Sequence, residues 1–273
     1  MGQHLGTFPF GRPNTERVPR LPDSTPVALV MGVYPSAFHV AWSPPGHAGR
    51  RAAISSLAVD VEPTVFWDGR HPSPAELLND WKMAVGFDVD RHGTVRPGHN
   101  GPSGVGLEER ILAPLDLDPS KVAFTDAVPW FFVKHGVGSQ GAAIAERFAP
   151  WAEANGIDSG SLPKRPSVRE LPKLAGAEPR RTVLRHEIVS IGAPLVITLG
   201  QEALDAIRYV ADDVTGVQRT LVPDGYGRIG ALEIERRRFD LLPVVHPGFL
   251  RQTKRPEWLT AFGSWEAAAP RLL

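Results

Sequence analysis

His246 has the surroundings that most favour chemistry in this chain. It ends an apolar run and precedes Pro247 and Gly248. An imidazole at a strand end can present a ring N–H to a substrate oxygen, and a Pro-Gly turn would expose the apolar tips of Phe249 and Leu250. Such a group suits an enzyme that acts on a base removed from a stack, although an ordinary residue at a strand end gives the same short pattern.

Three earlier segments show how this histidine could be positioned. Segments 27–31, 121–130 and 194–200 each contain an apolar run that is typical of a short buried strand, and each run is followed by polar, Gly or Pro residues. Parallel strands place their carboxyl ends at one edge of a sheet, where ligands commonly bind. The sequence therefore predicts four parallel strands, the last one ending before His246, whose carboxyl ends converge.

Helical periodicity between these runs indicates an α/β protein. The segment after Ser73, a candidate N-cap, carries its apolar residues on one helical face. Helices are predicted at 74–85, 105–114, 141–155, 179–191, 201–210 and 256–268, a strand at 54–61, and a hairpin with the final strand at 218–245.

Four motifs, taken together, resemble the uracil-DNA glycosylase superfamily. Residues 32–36 resemble its first motif, Gly-x-x-Pro followed by a small residue, and residues 124–126 resemble its base-recognition strand, which ends in Asn. Residues 196–204 resemble its strand, Leu-Gly and helix element, and residues 246–248 match its His-Pro-Ser/Gly motif. The four occur in the family's order, over roughly residues 26 to 266.

The resemblance implies a three-layer αβα sandwich around a central, mainly parallel four-stranded sheet. It implies an extension over 1–25 and one domain over 26–273. The implied activity is that of a DNA glycosylase, which flips a base out of the duplex and hydrolyses its N-glycosidic bond, as in base-excision repair. DNA is then the expected partner, the protein is expected to be a monomer, and no metal or organic cofactor is implied.

The resemblance also implies roles for particular side chains. His246 would donate to the departing base, and Asp126 would read the base or orient water. Phe249 and Leu250 would fill the vacated stack, and Arg251 would contact a phosphate. The expected base pocket consists of Gly32, Val33, Tyr34, Pro35, Ser36, Phe38 and Trp42.

Two departures from the family pattern affect the chemistry. Branches of the family carry a water-activating acid or Asn in the first motif, where this chain has Val33 and Tyr34. Asp60 and Glu62 are possible substitutes, although the hairpin that contains them could equally be a surface element. Asp126 replaces the family's Asn, and an ionised carboxylate can only accept hydrogen bonds. Either the substrate edge offers donors, or Asp126 is protonated, or it has a catalytic role.

Composition limits the kind of DNA contact. Lys plus Arg and Asp plus Glu number 30 each, so no global basic field attracts DNA and any contact must be local. Basic residues cluster between 161 and 185, where a solvated helix face and a phosphate track are equally good interpretations. A second basic group around His246 consists of Arg236, Arg237, Arg238, Arg251, Lys254 and Arg255.

Other residue counts exclude several kinds of site. The chain has no cysteine, which excludes disulfides, thiol nucleophiles and cysteine-bound clusters, and its nine histidines show no metal-ligand spacing. No window approaches 18 apolar residues and residues 1–26 lack an apolar signal core, so we expect a cytoplasmic protein that does not enter membranes.

Two other functions fit the same residues. A protein of this fold that binds a nucleobase or damaged DNA without cleaving it is favoured by the missing acid of the first motif. A hydrolase of free nucleosides or nucleotides is favoured by the zero net charge. An exposed apolar wedge beside His246 would argue against the second, because a free nucleoside needs no duplex opening.

Overall fold

The structure is a computed structural model that describes residues 4–46 and 53–269. Their contacts group them into two compact units, neither continuous in sequence. Unit 1 contains the described residues of Met1–Arg17, Pro35–Pro102 and Trp130–Arg165; unit 2 contains those of Val18–Tyr34, Ser103–Pro129 and Pro166–Leu273. The chain first passes from unit 1 to unit 2 after Arg17.

Strands and helices alternate along much of the chain. The strands are β1 (His4–Thr7), β2 (Pro13–Thr15), β3 (Ala28–Gly32), β4 (Ala37–Ser43), β5 (Ile54–Val61), β6 (Thr94–Pro97), β7 (Val122–Asp126), β8 (Leu195–Leu199), β9 (Asp213–Thr215), β10 (Gly230–Ile234) and β11 (Arg237–Val244). The α-helices are α1 (Pro74–Ala84), α2 (Val89–His92), α3 (Pro102–Leu107), α4 (Gln140–Ala143), α5 (Ala149–Ala154), α6 (Leu171–Gly176), α7 (Arg180–Ile191), α8 (Gln201–Val210), α9 (Pro247–Gln252) and α10 (Pro256–Ala268). Short 3₁₀ segments cover Pro9–Gly11 and Pro119–Lys121, and π-helical turns cover Glu108–Leu112 and Ile144–Phe148.

Most predicted helices are confirmed. The structure places α7, α8 and α10 within a residue of the predicted bounds, and α1 begins at the predicted cap with a reciprocal bond between Ser73 and Glu76. No helix in the described part of the chain combines the length and the apolar character that a bilayer crossing needs.

Unit 2 is built on a mostly parallel sheet with strand order β7-β3-β8-β11-β10-β9. The first four strands are parallel to one another, as predicted, and β10 and β9 continue the sheet antiparallel. The α/β class and the parallel core are therefore confirmed. The sheet has six strands instead of the expected four, because the late hairpin extends the ladder beyond β11.

Continuous apolar runs form the parallel strands. Every residue of β3, β7 and β8 is buried, as expected for strands covered on both faces. The outer edge of β7 is closed by Arg20, whose backbone N–H and carbonyl bond those of Phe124 and whose guanidinium lies 3.8 Å from the centre of the Phe124 ring. This contact hides an edge that would otherwise be open to pairing.

The hairpin between β10 and β11 turns through two residues with positive φ. Ile234 pairs with Arg237, so Glu235 (φ 54°) and Arg236 (φ 63°) form the loop. Two-residue loops with both φ values positive normally use Asn and Gly, because a Cβ is strained in this region.

We expect Arg236→Gly to stabilise the protein by about 0.5–1 kcal/mol, because it relieves this strain. In thermal unfolding the midpoint should rise by about 1–4 °C for a chain of this size. Arg238→Gly, one residue into the β11 strand, is the matched control and should lower the midpoint. A lower midpoint for Arg236→Gly would show that the arginine side chain outweighs the strain.

Unit 1 contains an antiparallel sheet with strand order β5-β4-β6 and the β1-β2 hairpin. One face of the sheet carries an aromatic core in which Trp42 and Phe148 are almost fully buried. The Phe10 ring lies edge-on to Trp81, with centroids 5.3 Å apart. Rings from distant parts of the chain therefore supply much of the packing of this unit.

Candidate functional site

The carboxyl ends of four parallel strands form a row at one edge of the unit 2 sheet. Gly32 at the end of β3 is in register with Asp126 at the end of β7, and Leu199 of β8 is in register with Val244 of β11. Neighbouring strands lie about 4.8 Å apart, so about 14 Å separates the ends of β7 and β11. His246 follows β11 by two residues, so the three main predicted site residues share this edge.

His246 has a fixed orientation at this edge. Its Nδ1 accepts a hydrogen bond of 3.0 Å from the backbone N–H of Gly248 and caps α9. A backbone N–H can only donate, so Nδ1 must carry a lone pair. The neutral ring is then protonated on Nε2, which becomes its N–H donor. The capping bond thus selects the tautomer that can donate to a substrate oxygen.

Gly200 lies beside this histidine. It joins β8 to α8 with φ 87°, a conformation that disfavours a side chain, and its N–H donates to the Val244 carbonyl at 2.7 Å. A Cβ built on Gly200 would lie 3.7 Å from the Cβ of His246. The Leu-Gly element and the histidine motif are therefore neighbours in space, which the sequence order alone could not show.

The expected Pro-Gly turn is instead the first turn of α9. Pro247 occupies the first helical position, which suits its fixed φ, and a Cβ built on Gly106 would lie 3.1 Å from its ring. Positions three apart share a helix face, so Leu250 turns inward with Pro247 and is only 4% exposed. The prediction of an exposed Leu250 was wrong. Phe249 is 38% exposed, and Arg251 is exposed.

Asp126 is buried, with 4% exposure. Its neighbour Thr125 donates from Oγ1 to Glu187 Oε2 at 3.2 Å. Because successive side chains of a strand point to opposite faces of the sheet, the Asp126 side chain lies on the face opposite Glu187. The ladder continues past the strand end, because the N–H groups of Ala127 and Val128 donate to the carbonyls of Gly32 and Val33 at 3.0 and 2.8 Å. The base-recognition strand and the first motif are thus joined by backbone bonds.

Other predicted pocket residues belong to unit 1, where Pro35 is buried and Ser36 half-buried. Phe38 and Trp42 are 2% and 1% exposed, and the Trp42 indole donates to the His92 carbonyl at 2.8 Å. The Trp42 ring packs 4.7 Å from that of Trp151. Rings enclosed in a core cannot stack on a substrate base, so their prediction as pocket residues was wrong. Val33 and Tyr34, in unit 2, are half-buried.

The two candidate acids, also in unit 1, differ in their surroundings. Both carboxylate oxygens of Asp60 have partners: Oδ2 pairs with Arg12 Nε at 2.7 Å, and Oδ1 accepts from the Val61 N–H at 2.8 Å. Glu62 is 5% exposed and directly follows β5, where Val61 is in register with Ala37. Glu62 therefore lies next to the Ser36 end of β4.

Some arginines of each predicted basic group are buried, paired or distant from the other members. In the first, Arg180 is buried and Arg185 pairs with Asp212 at 2.8 Å. In the second, Arg236 and Arg237 lie at the amino end of β11, about 23 Å along the strand from its carboxyl end. Arg251, Lys254 and Arg255 are exposed near His246 in sequence and remain the local basic cluster.

His39, in unit 1, has a strongly altered titration. Burial lowers its pKa from 6.5 to about 4. The unfolded chain therefore binds more protons between these pH values, and stability should fall as the pH drops from about 6.5 to about 4. We expect His39→Asn to flatten this part of the stability profile in urea titrations, whereas the same change at exposed His186 should not. An unchanged profile for His39→Asn would assign the pH dependence to other groups.

The sheet edge of unit 2 offers an oriented imidazole donor, a buried carboxylate and a glycine-containing strand end. Within residues 4–46 and 53–269, no cluster of three or more His, Cys, Asp or Glu side chains is arranged to hold a metal ion. No model of a known protein family matches the chain, and no curated protein matches it. A donor and an acceptor at the carboxyl ends of parallel strands can bind a planar polar ligand through its edge.

Proposed function

We propose that this protein is a divergent DNA glycosylase related to the uracil-DNA glycosylases, with helices on both faces of the unit 2 sheet. The orientation of His246 carries the proposal. Its Nδ1 accepts from the Gly248 N–H, which leaves the ring proton on Nε2, and in the proposal this N–H donates to a ligand at the sheet edge that also carries Gly32 and Asp126. A neutral donor in such a position stabilises charge that develops on an oxygen.

In the proposed reaction the N-glycosidic bond breaks and its electron pair leaves with the base. Negative charge develops on the base oxygens, where His246 Nε2–H donates. The sugar is left as a cation that water captures, and one proton from that water ends in solution while its hydroxyl forms the new C–O bond. Asp126 binds the edge of the base, and the strand end at Gly32 shapes the pocket.

DNA contacts in this proposal are local. Arg251, Lys254 and Arg255 bind phosphates, and Phe249 enters the space that the flipped base leaves. The Phe249 ring is braced edge-on against Trp258, with centroids 5.4 Å apart, so it is both supported and partly exposed. Phe249 replaces Leu250 as the wedge, because Leu250 is buried.

We expect Phe249→Ala to reduce activity on duplex DNA by about tenfold more than on single strands, since unstacking costs a few kcal/mol only in the duplex. Initial rates on matched duplex and single-stranded oligonucleotides measure the ratio of duplex activity to single-strand activity. Leu259→Ala, at a 49% exposed leucine of α10, is the control and should leave it unchanged. Equal losses on both substrates for Phe249→Ala would limit this residue to packing against Trp258.

A protein that binds a base without cleaving it is the second candidate. It is favoured by Val33 and Tyr34 in the first motif and by the pairing of Asp60, one of the predicted water-activating acids, with Arg12. Incubation with oligonucleotides that carry uracil, hypoxanthine, xanthine or modified cytosines, followed by cleavage at abasic sites, separates the candidates. Abasic sites in any one of these oligonucleotides support the glycosylase. Tight binding without abasic sites supports the second candidate, and neither binding nor abasic sites with any oligonucleotide would contradict both.

A further inference from the structure

Arg180, the first residue of α7, is buried in unit 2 with a side chain that is 9% exposed. Its Nε donates to the Ala127 carbonyl at 2.9 Å, and a terminal nitrogen donates to the Asp126 carbonyl at 2.8 Å. The two terminal nitrogens also donate to Glu187 Oε1 and Oε2 at 2.8 and 3.1 Å. One guanidinium therefore ties the end of β7 to the helix.

Glu187 fixes the orientation of this guanidinium. It lies two turns after Arg180 on the same helix face, and its Oε2 also accepts from Thr125 Oγ1 of β7 at 3.2 Å. The bidentate pair allows only one plane for the guanidinium. In that plane the remaining donors face the two backbone carbonyls.

Stability alone does not account for this arrangement. A cation in the first turn of a helix is disfavoured by the helix dipole, and a buried ion pair commonly adds no net stability over an apolar pair of similar volume. Apolar side chains could fill the space, but they could not donate to the carbonyls of Asp126 and Ala127. The Arg180–Glu187 pair is therefore best explained by the hydrogen bonds that Arg180 donates to the backbone carbonyls of Asp126 and Ala127.

The segment 126–128 is held from both sides. Its carbonyls at Asp126 and Ala127 accept from Arg180, and its N–H groups at Ala127 and Val128 donate to the first motif at Gly32 and Val33. These bonds fix the strand end from which the Asp126 side chain projects on the opposite face. A shift of the backbone here would move the carboxylate directly.

We propose that Arg180, oriented by Glu187, is a positioning residue that holds the backbone of 126–128 and thereby sets the position of the Asp126 carboxylate that reads the base. This inference rests on the proposed function for its effect on base recognition. Its structural half, that Arg180 holds this backbone, does not depend on any activity.

Arg180→Lys tests the inference, with Arg185→Lys as the matched control. Arg185 lies on the same helix, forms a bidentate pair with Asp212 and donates to the Val210 carbonyl. We expect Arg180→Lys to speed amide exchange at Ala127 and Val128 by about tenfold or more, since a charge-assisted bond to each carbonyl is weakened. On the preferred oligonucleotide, kcat should fall about tenfold with KM changed less than threefold, and base preference should weaken. Arg185→Lys should change none of these.

A second variant covers the case in which Arg180→Lys does not fold. Arg180→Met combined with Glu187→Met replaces the pair by apolar side chains, which should preserve the fold while amide exchange at 127 and 128 still accelerates. Exchange as slow as in the wild type would overturn the inference. Faster exchange with unaltered kcat and base preference would also overturn it. If the wild type cleaves no oligonucleotide, the proposed function fails, and the exchange rates alone then support or overturn the holding role of Arg180.

Discussion

Replacing His246 by Asn is expected to lower kcat on the preferred oligonucleotide by roughly 10²–10³, with little loss of stability. The Asn side chain can still accept from the Gly248 N–H through Oδ1 and cap α9, and Asn is a good N-cap residue. It has no atom at the position of Nε2, so the donor to the departing base is lost. Single-turnover rates measure the chemical step, and thermal unfolding measures the cap.

His246→Ala separates the two roles of this histidine. It removes the cap as well as the donor, so activity should fall as in the Asn variant while the stability falls by about a further 1 kcal/mol. If the Asn and Ala variants lose activity only in proportion to their loss of stability, His246 acts only as a helix cap. Activity of the Asn variant within threefold of the wild type would refute the proposed donor.

The parallel core of unit 2 could be predicted because its signal is local. The runs that form β3, β7 and β8 are short, apolar and bounded by Gly or polar residues, and each strand forms where its run lies. Their common direction followed from the α/β pattern between them. His246, Asp126 and Gly32 came to one edge for this reason.

The incorrect site predictions came from ambiguous or long-range signals. Pro247 and Gly248 are equally suited to a turn and to the first turn of a helix, and the helix turned Leu250 inward. Trp42 lies close in sequence to the first motif, but its ring is enclosed by Phe148 and Trp151, more than a hundred residues away. Local pattern could not reveal that burial.

Arg180 shows what a composition argument omits. In sequence it is one of seven basic residues between 161 and 185, which indicated a solvated face or a phosphate track. Its partners at Asp126 and Ala127 become neighbours only when β7 and α7 pack together. The spacing of seven residues to Glu187, two helical turns, was the one local sign that the charge could be paired internally.

The wild-type protein is expected to release a cytosine-type base more readily than uracil because of Asp126. An Asn there could donate to uracil O4 and accept from N3–H, whereas an ionised carboxylate would face O4 with lone pair against lone pair. Such a mismatch in a buried site costs about 1–3 kcal/mol, or one to two decades in rate. Cytosine presents an exocyclic amino donor at the same edge, from which Asp can accept.

Burial strengthens this expectation. Asp126 is 4% exposed, so little solvent is available to screen a mismatched contact. Arg180 bonds the Asp126 carbonyl and pairs with Glu187 on the other side of the strand. An ionised Asp126 side chain can only accept, and this acceptor character should govern which base edge it binds.

Asp126→Asn is expected to shift the preference toward uracil by one to two decades, measured as the ratio of kcat/KM on uracil and modified-cytosine oligonucleotides. Asp126→Ala is the control, because it removes donor and acceptor together and should weaken both substrates without reversing their order. Efficient release of uracil by the wild type, with the ratio unchanged in Asp126→Asn, would show that this carboxylate does not read the base. The buried Asp126 side chain would then have to stabilise the end of β7 or orient the water instead.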